Sequence, residues 1–251
     1  MLSDSAQMPE ETVIFMDYSR YENEALMFEK RIEELKNKSY EFLGVLRSEV
    51  LSIKDRDPAA RTTAEILLLY PGLHAVIAHR IAHHFYKKEM FFAARAISQA
   101  ARNCTGIEIH PAAEIGKGLF IDHGSSVVIG ETTVIGDNCT IYQGVTLGGT
   151  GKHEGKRHPT IGNNVMIGAG ARVLGPVTVG DNAKIAAGAV VLKDIPENST
   201  AVGIPARIVR REKTECEQNL DQINIPDPVA QEICALKHRI SELEAKIDKT
   251  E

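Results

Sequence analysis

The chain has no run of about 18 apolar residues, so nothing in it reads as a helix that crosses a bilayer. It has no excess of positive charge. Lys and Arg number 29 against 34 Asp and Glu, a formal net charge of -5, which gives no general attraction to nucleic acid or to an anionic membrane surface. Its four cysteines, Cys104, Cys139, Cys216 and Cys234, are scattered, with no CxxC pair and no zinc-ligand spacing. The thiols therefore read as reduced and no metal site is expected. Met1 to Glu11 is polar and acidic, without the basic start and apolar run of a signal peptide. These absences point to a cytoplasmic protein with no nucleic-acid, membrane or metal partner. What remains, 251 residues at 43% hydrophobic and 25% charged, is the composition of an ordinary globular protein of one large domain or two modest ones.

Residues 1–106 read as helical. From Asn23 to Ser52 the apolar positions Phe28, Ile32, Leu35, Phe42, Leu46 and Val50 recur at spacings near three or four. Asp57-Pro58 reads as a helix start, with Asp as N-cap and Pro at the first helical position. Pro71-Gly72 breaks that helix. Helical patterns then run from Leu73 to about Lys88 and from Phe91 to Ala101, and Cys104-Thr105-Gly106 ends the region.

Beyond it the period changes to six. Ile109, Ile115 and Ile121 stand six apart; the phase slips by two and resumes at Ile129, Ile135, Ile141 and Leu147. After a polar stretch, Gly148 to Thr160, it restarts at Ile161, Ile167, Val173, Val179, Ile185 and Val191. A period of six fits neither a helix nor a plain alternation of two. It is the pattern of a β-helix solenoid, with one hexad per face and turn and three hexads per coil. The aliphatic residue points inward, and stacking of coils supplies the core that one coil lacks.

The repeats resemble the hexapeptide-repeat acyltransferases, whose coils are left-handed. Five strings narrow the resemblance: Arg56-Asp57-Pro58-Ala59, Glu108-Ile109-His110-Pro111-Ala112-Ala113, Ile121-Asp122-His123-Gly124, Leu147-Gly148-Gly149-Thr150-Gly151-Lys152 and Lys156-Arg157-His158-Pro159. In this order they are similar to the serine O-acetyltransferases, over roughly Asp55 to Val209. The implied fold class is α+β. An N-terminal α-helical domain (1–106) precedes a left-handed parallel β-helix (107–212), followed by a linker and a C-terminal amphipathic or coiled-coil helix (213–251). The implied activity is acetyl transfer from acetyl-CoA to the L-serine hydroxyl, with acetyl-CoA as co-substrate and no tightly bound cofactor.

A serine hydroxyl is a poor nucleophile at neutral pH, so attack on a thioester needs a positioned base. His123, at a coil corner two residues after Ile121, is the candidate. The resemblance implies that Glu108 orients its ring, a position where many family members carry Asp. The amino-acid substrate is a zwitterion: Arg157, assisted by His158, can clamp its carboxylate, and Asp57 and Asp122 can take its ammonium. For coenzyme A the resemblance implies Thr150, Gly168, Ala169, Ala187 and Gly188 along the pantetheine arm. Lys184, Arg207, Arg210 and Arg211 supply positive charge near its phosphates. The oxyanion needs a backbone N–H near Gly148-Gly149. No acyl-enzyme is required, and Cys139 reads as repeat packing.

Three other readings compete. The same fold can acetylate a sugar or an antibiotic, but such acceptors need no Arg157 clamp with two carboxylates. A zinc hydrolyase on this fold would use His153 and His158, five apart, yet needs a third histidine that His123 does not suit. A non-enzymatic scaffold leaves the Asp-His and Arg-His strings without purpose.

The resemblance further implies a homotrimer with shared active sites, paired into a dimer of trimers. Family members that bind the next enzyme, a sulfhydrylase, end in isoleucine; this chain ends Asp248-Lys249-Thr250-Glu251, so that complex is not expected. Instead Ile233, Leu236, Ile240, Leu243 and Ile247 are spaced three, four, three, four, an a/d seam flanked by charged Lys237, Arg239, Glu244 and Lys246.

Overall fold

The computed structural model describes residues 19–151, 154–209 and 228–247. The positions Lys152, His153, Arg210, Arg211 and the terminal Asp248-Lys249-Thr250-Glu251 lie outside them, as do the side chains of Glu244, Lys246 and Ile247. Two compact units divide the chain, Met1–Gly44 and Val45–Glu251. Helix α1 (Ser19–Arg56) supplies the described part of the first, where Met27, Ile32 and Tyr40 are exposed. Its last turns, from Val45, belong to the second.

In the second unit, α1 does not lead into a helix at Asp57-Pro58. The Ala59 N–H donates to Asp57 Oδ1 at 2.8 Å and the Ala60 N–H to the Asp57 carbonyl at 3.1 Å, which makes a turn. The reason is local: an Asp side chain that satisfies the N–H two residues on stabilises a turn as readily as a cap. The cap passes to Thr62, whose Oγ1 accepts from the Glu65 N–H at 3.1 Å and opens α2 (Thr63–Leu69). Helix α3 (Pro71–Lys87) starts on Pro71, whose missing N–H costs nothing at a first helical position. Helix α4 (Phe91–Thr105) ends on Gly106 at φ 72°, a left-handed cap that glycine adopts without strain.

Short strands then build a left-handed parallel β-helix with three faces. The first face stacks β1 (Glu108–Ile109), β4 (Val128–Ile129), β7 (Thr146–Gly148), β10 (Arg172–Leu174) and β13 (Val190–Val191). The second stacks β2 (Glu114–Ile115), β5 (Val134–Ile135), β8 (Thr160–Ile161) and β11 (Thr178–Val179). The third stacks β3 (Phe120–Ile121), β6 (Thr140–Ile141), β9 (Met166–Ile167), β12 (Lys184–Ile185) and β14 (Thr200–Val202), with β15 (Arg207–Val209) antiparallel at its end. The hexad aliphatics fall in register. Ile109, Ile129, Leu147, Val173 and Val191 form one inward column. Ile115, Ile135, Ile161 and Val179 form the second, and Ile121, Ile141, Ile167, Ile185 and Ala201 the third. All are buried, and each large one contributes about 1.5–3 kcal/mol relative to exposure.

Helices cover the first coil, whose outward carbonyls have no preceding coil to pair with. Ser98 Oγ donates to the Ile109 carbonyl at 2.7 Å and His83 Nδ1 to that of Pro111 at 2.8 Å. Arg80 reaches the Ile115 and Gly116 carbonyls while paired to the buried Glu49 at 2.9 Å. Arg56 reaches the Gly118 carbonyl and those of Asn138 and Cys139. A second apolar cluster, Val50, Ile53, Ile66, Leu73 and Phe120 with Tyr70 packed against it, sits where these helices meet β3. Helix α5 (Pro228–Ile247) follows. Its seam residues Ile233, Leu236, Ile240 and Leu243 are 47–58% exposed, so the described seam is not buried against the body of its own chain. Among the described residues no helix is long and apolar enough to cross a membrane.

Candidate active site

Two departures from the hexad period carry the site. The two-residue slip after Ile121 is an enlarged corner, Asp122 to Val127, between the third face and the first. It is closed by Gly124 N–H to the Asp122 carbonyl at 2.6 Å, Val127 N–H to that of Gly124 at 3.1 Å and Ser126 N–H to that of Gly106 at 3.0 Å. His123 sits in it at φ 57°, a left-handed conformation uncommon outside glycine, though Asn, Asp and His adopt it more often than other residues. Its side chain is 75% exposed and aims outward, with Nε2 3.9 Å from Asp122 Oδ1.

The same corner recurs in each later coil as Tyr142-Gln143-Gly144, Gly168-Ala169-Gly170 and Ala186-Ala187-Gly188. Backbone bonds of 2.8 Å join the column: Gly144 N–H to Ser125, Gly170 N–H to Gln143 and Gly188 N–H to Ala169. The residues expected to border the pantetheine arm, Gly168, Ala169, Ala187 and Gly188, thus share one edge with His123. A side chain at Gly168 would meet the Ala187 nitrogen at 2.6 Å, so the coils approach too closely there for anything larger. Thr150 is not on this edge. It lies on the other border of the first face, with its Oγ1 against Gly175. Lys184 is on β12 and Arg207 on β15.

Asp57 joins the His123 edge from the helical side. Its Oδ2 accepts from the Tyr70 hydroxyl at 2.7 Å. Burial holds the Asp122 carboxyl above its ordinary range, and the charge of Asp57 adds to that, against the opposing pull of His123. Asp57 thus acts on the carboxyl of Asp122, whose Oδ1 is the one 3.9 Å from His123 Nε2. Glu108, on β1, has a cation beside it. Its Oε2 lies 3.2 Å from Arg102 Nε, where the last turn of α4 passes over β1.

The second departure, between Gly148 and Thr160, places its described residues 154–160 at the corner between the first face and the second. It folds back one coil onto Gly130-Glu131-Thr132, with Thr132 at the hub. Thr132 Oγ1 accepts from the Arg157 and His158 N–H groups at 3.0 and 3.1 Å, and the Thr132 N–H donates to His158 Nδ1 at 3.2 Å. Lys156 Nζ ties the loop down through the Thr132 carbonyl at 2.6 Å. His158 is buried, and burial, with Arg157 and Lys156 beside it, pushes its pKa down. It is therefore a neutral imidazole accepting at Nδ1, which leaves the proton on Nε2. Arg157 is paired with Glu131 at 2.7 Å. Glu131, Thr132 and Tyr70 were not singled out in the sequence. The one signal for Glu131 was a charged residue directly after a repeat glycine.

Gly130 makes this packing possible, since a Cβ there would overlap the His158 ring. Gly130→Ala is expected to expel the ring from the Thr132 hub and to destabilise the protein by about 1–3 kcal/mol. Urea unfolding beside the parent protein checks this.

Residues 158–193 match the family described as Bacterial transferase hexapeptide (six repeats), and residues 126–149 match the Hexapeptide repeat of succinyl-transferase. The fold and the small-residue edge define an acyltransferase of the hexapeptide-repeat class. A serine acetyltransferase from Bacillus subtilis is 53% identical over 207 residues, 82% of this chain and 95% of that protein. Among solved structures, soybean serine acetyltransferase complexed with serine is 46% identical with a TM-score of 0.66, covering 67% of this chain and 69% of that one. The Brucella abortus enzyme in complex with coenzyme A is 44% identical with a TM-score of 0.68, covering 74% of each chain. The chain belongs to the serine acetyltransferase family.

Proposed function

We propose that this serine O-acetyltransferase moves the acetyl group in one direct step, with His123 as general base. The observation that carries this is that His123 projects from the edge whose two later corners Gly168-Ala169-Gly170 and Ala186-Ala187-Gly188 are built of small residues alone. The serine Oγ attacks the thioester carbonyl as His123 takes its proton, the C–S bond breaks, and the imidazolium returns the proton to the departing thiolate. The products are O-acetyl-L-serine and coenzyme A, so a reaction that replaces the acetoxy group by a thiol, giving cysteine, can follow. Asp57 and Asp122 receive the ammonium; Arg157 and the Nε2–H of His158 receive the carboxylate. Glu108 orients the ring, since a carboxylate with one oxygen on Arg102 has a second to offer.

Within one chain these halves stand on different edges of the prism, separated by the first face. The reading therefore includes a homotrimer in which the His123 edge of one subunit meets the Arg157 edge of the next, with two trimers paired. Pantetheine runs along the small-residue column, and Lys184 and Arg207 lie toward the end where the phosphates go. The protein works in the cytoplasm.

A thiol-release assay tests the acceptor. With acetyl-CoA, L-serine is expected to exceed simple sugars at least about 100-fold in kcat/KM, because a site built for both charges of an amino acid rejects acceptors that leave them unpaired, and to exceed L-homoserine, which keeps both charges but carries its hydroxyl one methylene farther out, by about 10-fold or more. Equal release with a sugar acceptor would show the reading wrong.

A further inference from the structure

The carboxylate of Asp57 is held at both oxygens. Oδ1 takes the Ala59 N–H at 2.8 Å and Oδ2 takes the Tyr70 hydroxyl at 2.7 Å. The first bond only closes a local turn. The second comes from thirteen residues away and has no local purpose. Tyr70 precedes Pro71 and caps α3 with its backbone at φ −92°, but its side chain makes no capping bond. The ring packs instead against the cluster of Ile66, Leu73 and Phe120. Phe120 lies on β3, two residues before Asp122. One aromatic ring is thus anchored on the strand that leads to Asp122-His123, and its hydroxyl ends on the other carboxylate of the pair.

We propose that Tyr70 is the positioning residue that fixes Asp57 for the substrate ammonium, and so sets the preference for an amino-bearing acceptor. This rests on the serine-binding reading above. Two carboxylates that feel each other repel, and a free Asp57 side chain can rotate away from Asp122. A donor on Oδ2 removes that freedom and leaves the remaining lone pairs for a cation placed between the two. Tyr70 suits the task because it donates at any working pH. Burial, Asp57, Glu65 and Asp122 together hold its phenol up at about 12. It does not serve as the base: it meets Asp57 and stays protonated.

The test uses the full-length protein carrying Tyr70→Phe, which keeps the ring in its cluster and removes one hydroxyl. Two readouts are taken. In steady state, KM for L-serine is expected to rise about 10-fold, with kcat and KM for acetyl-CoA within about twofold. A hydrogen bond to a charged group is worth about 1.5 kcal/mol or more, which is that factor. By calorimetry without acetyl-CoA, the ratio of dissociation constants for 3-hydroxypropionate, which lacks the ammonium, and L-serine is expected to shrink by a similar factor. A merely structural role would weaken both ligands alike and leave the ratio unchanged. The further change Asp57→Asn in the Tyr70→Phe background is expected to cost less than it does alone, since the two act as one unit. An unchanged ratio, or additive losses, with normal serine turnover by the parent protein overturns the role of Tyr70 alone. A parent protein that does not turn over serine overturns the underlying reading, and the role with it.

Discussion

His123→Asn is expected to lower kcat about 100- to 10,000-fold while the protein keeps its unfolding midpoint and its KM values within a few-fold. The size follows from the loss of a positioned base: the hydroxyl must then shed its proton to water as it attacks, and general-base contributions are commonly of that order. Asparagine is the informative replacement. His123 stands at φ 57° in a corner closed by backbone bonds on both sides, and asparagine accepts that conformation more easily than alanine does. The corner should persist, and with it the path beside Gly168, Ala169, Ala187 and Gly188. A single-turnover measurement with saturating acetyl-CoA and L-serine separates a chemical defect from a binding defect. A variant within about fivefold of the parent rate would remove His123 from the chemistry. A second variant, Asp122→Asn, removes the carboxylate recorded nearest the ring. If it weakens serine binding more than it slows turnover, Asp122 faces the ammonium rather than orienting the base.

Much of the fold was legible because a solenoid repeats its instructions. Each hexad aliphatic names a face, and two interruptions in the count, after Ile121 and after Leu147, mark the corner and the loop that carry the residues proposed to react and to bind. A regular repeat needs only packing; where the period fails, something other than packing set the sequence. The contacts across coils were not legible. Thr132 meets Arg157 and His158 only because the loop folds back one coil, and nothing in the local sequence dictates that return. Arg102 as a partner of Glu108 was no more legible: only the end of α4 over β1 brings its guanidinium to 3.2 Å from that carboxylate. Asp57-Pro58 carried the ordinary marks of a helix start and became a turn, because its carboxylate had a use at each oxygen. A single residue that satisfies two local grammars is resolved only by what lies opposite it, here Tyr70.

Gly72→Ala is expected to destabilise the protein by about 3 kcal/mol and to lower kcat/KM even where the chain remains folded. Gly72 is the second residue of α3, buried against β3, and a Cβ there would overlap the Ile121 carbonyl oxygen and lie 3.1 Å from both the Ile121 carbonyl carbon and its Cβ. Backbone on a paired strand cannot step aside as the end of a flexible side chain can. Ile121 is bonded into the third face through β6, so the strain must lift the start of α3 or bend β3. Overpacking of a tight contact typically costs about 1–3 kcal/mol, and an overlap with backbone belongs at the upper end. Either movement disturbs the site directly: α3 begins beside Tyr70, and β3 runs into Asp122 and His123. Gly44→Ala is the matched control with the opposite sign. Gly44 is inside α1 with nothing within 4 Å of the added atom, so alanine there is expected to stabilise by about 0.5–1 kcal/mol through helix propensity alone. Urea unfolding of both variants at one protein concentration, which holds any subunit association constant, reads the two effects side by side. A Gly72→Ala midpoint equal to that of the parent would mean that α3 does not bear on β3 as closely as this geometry requires, and the coupling of the helices to the reacting corner would fall with it.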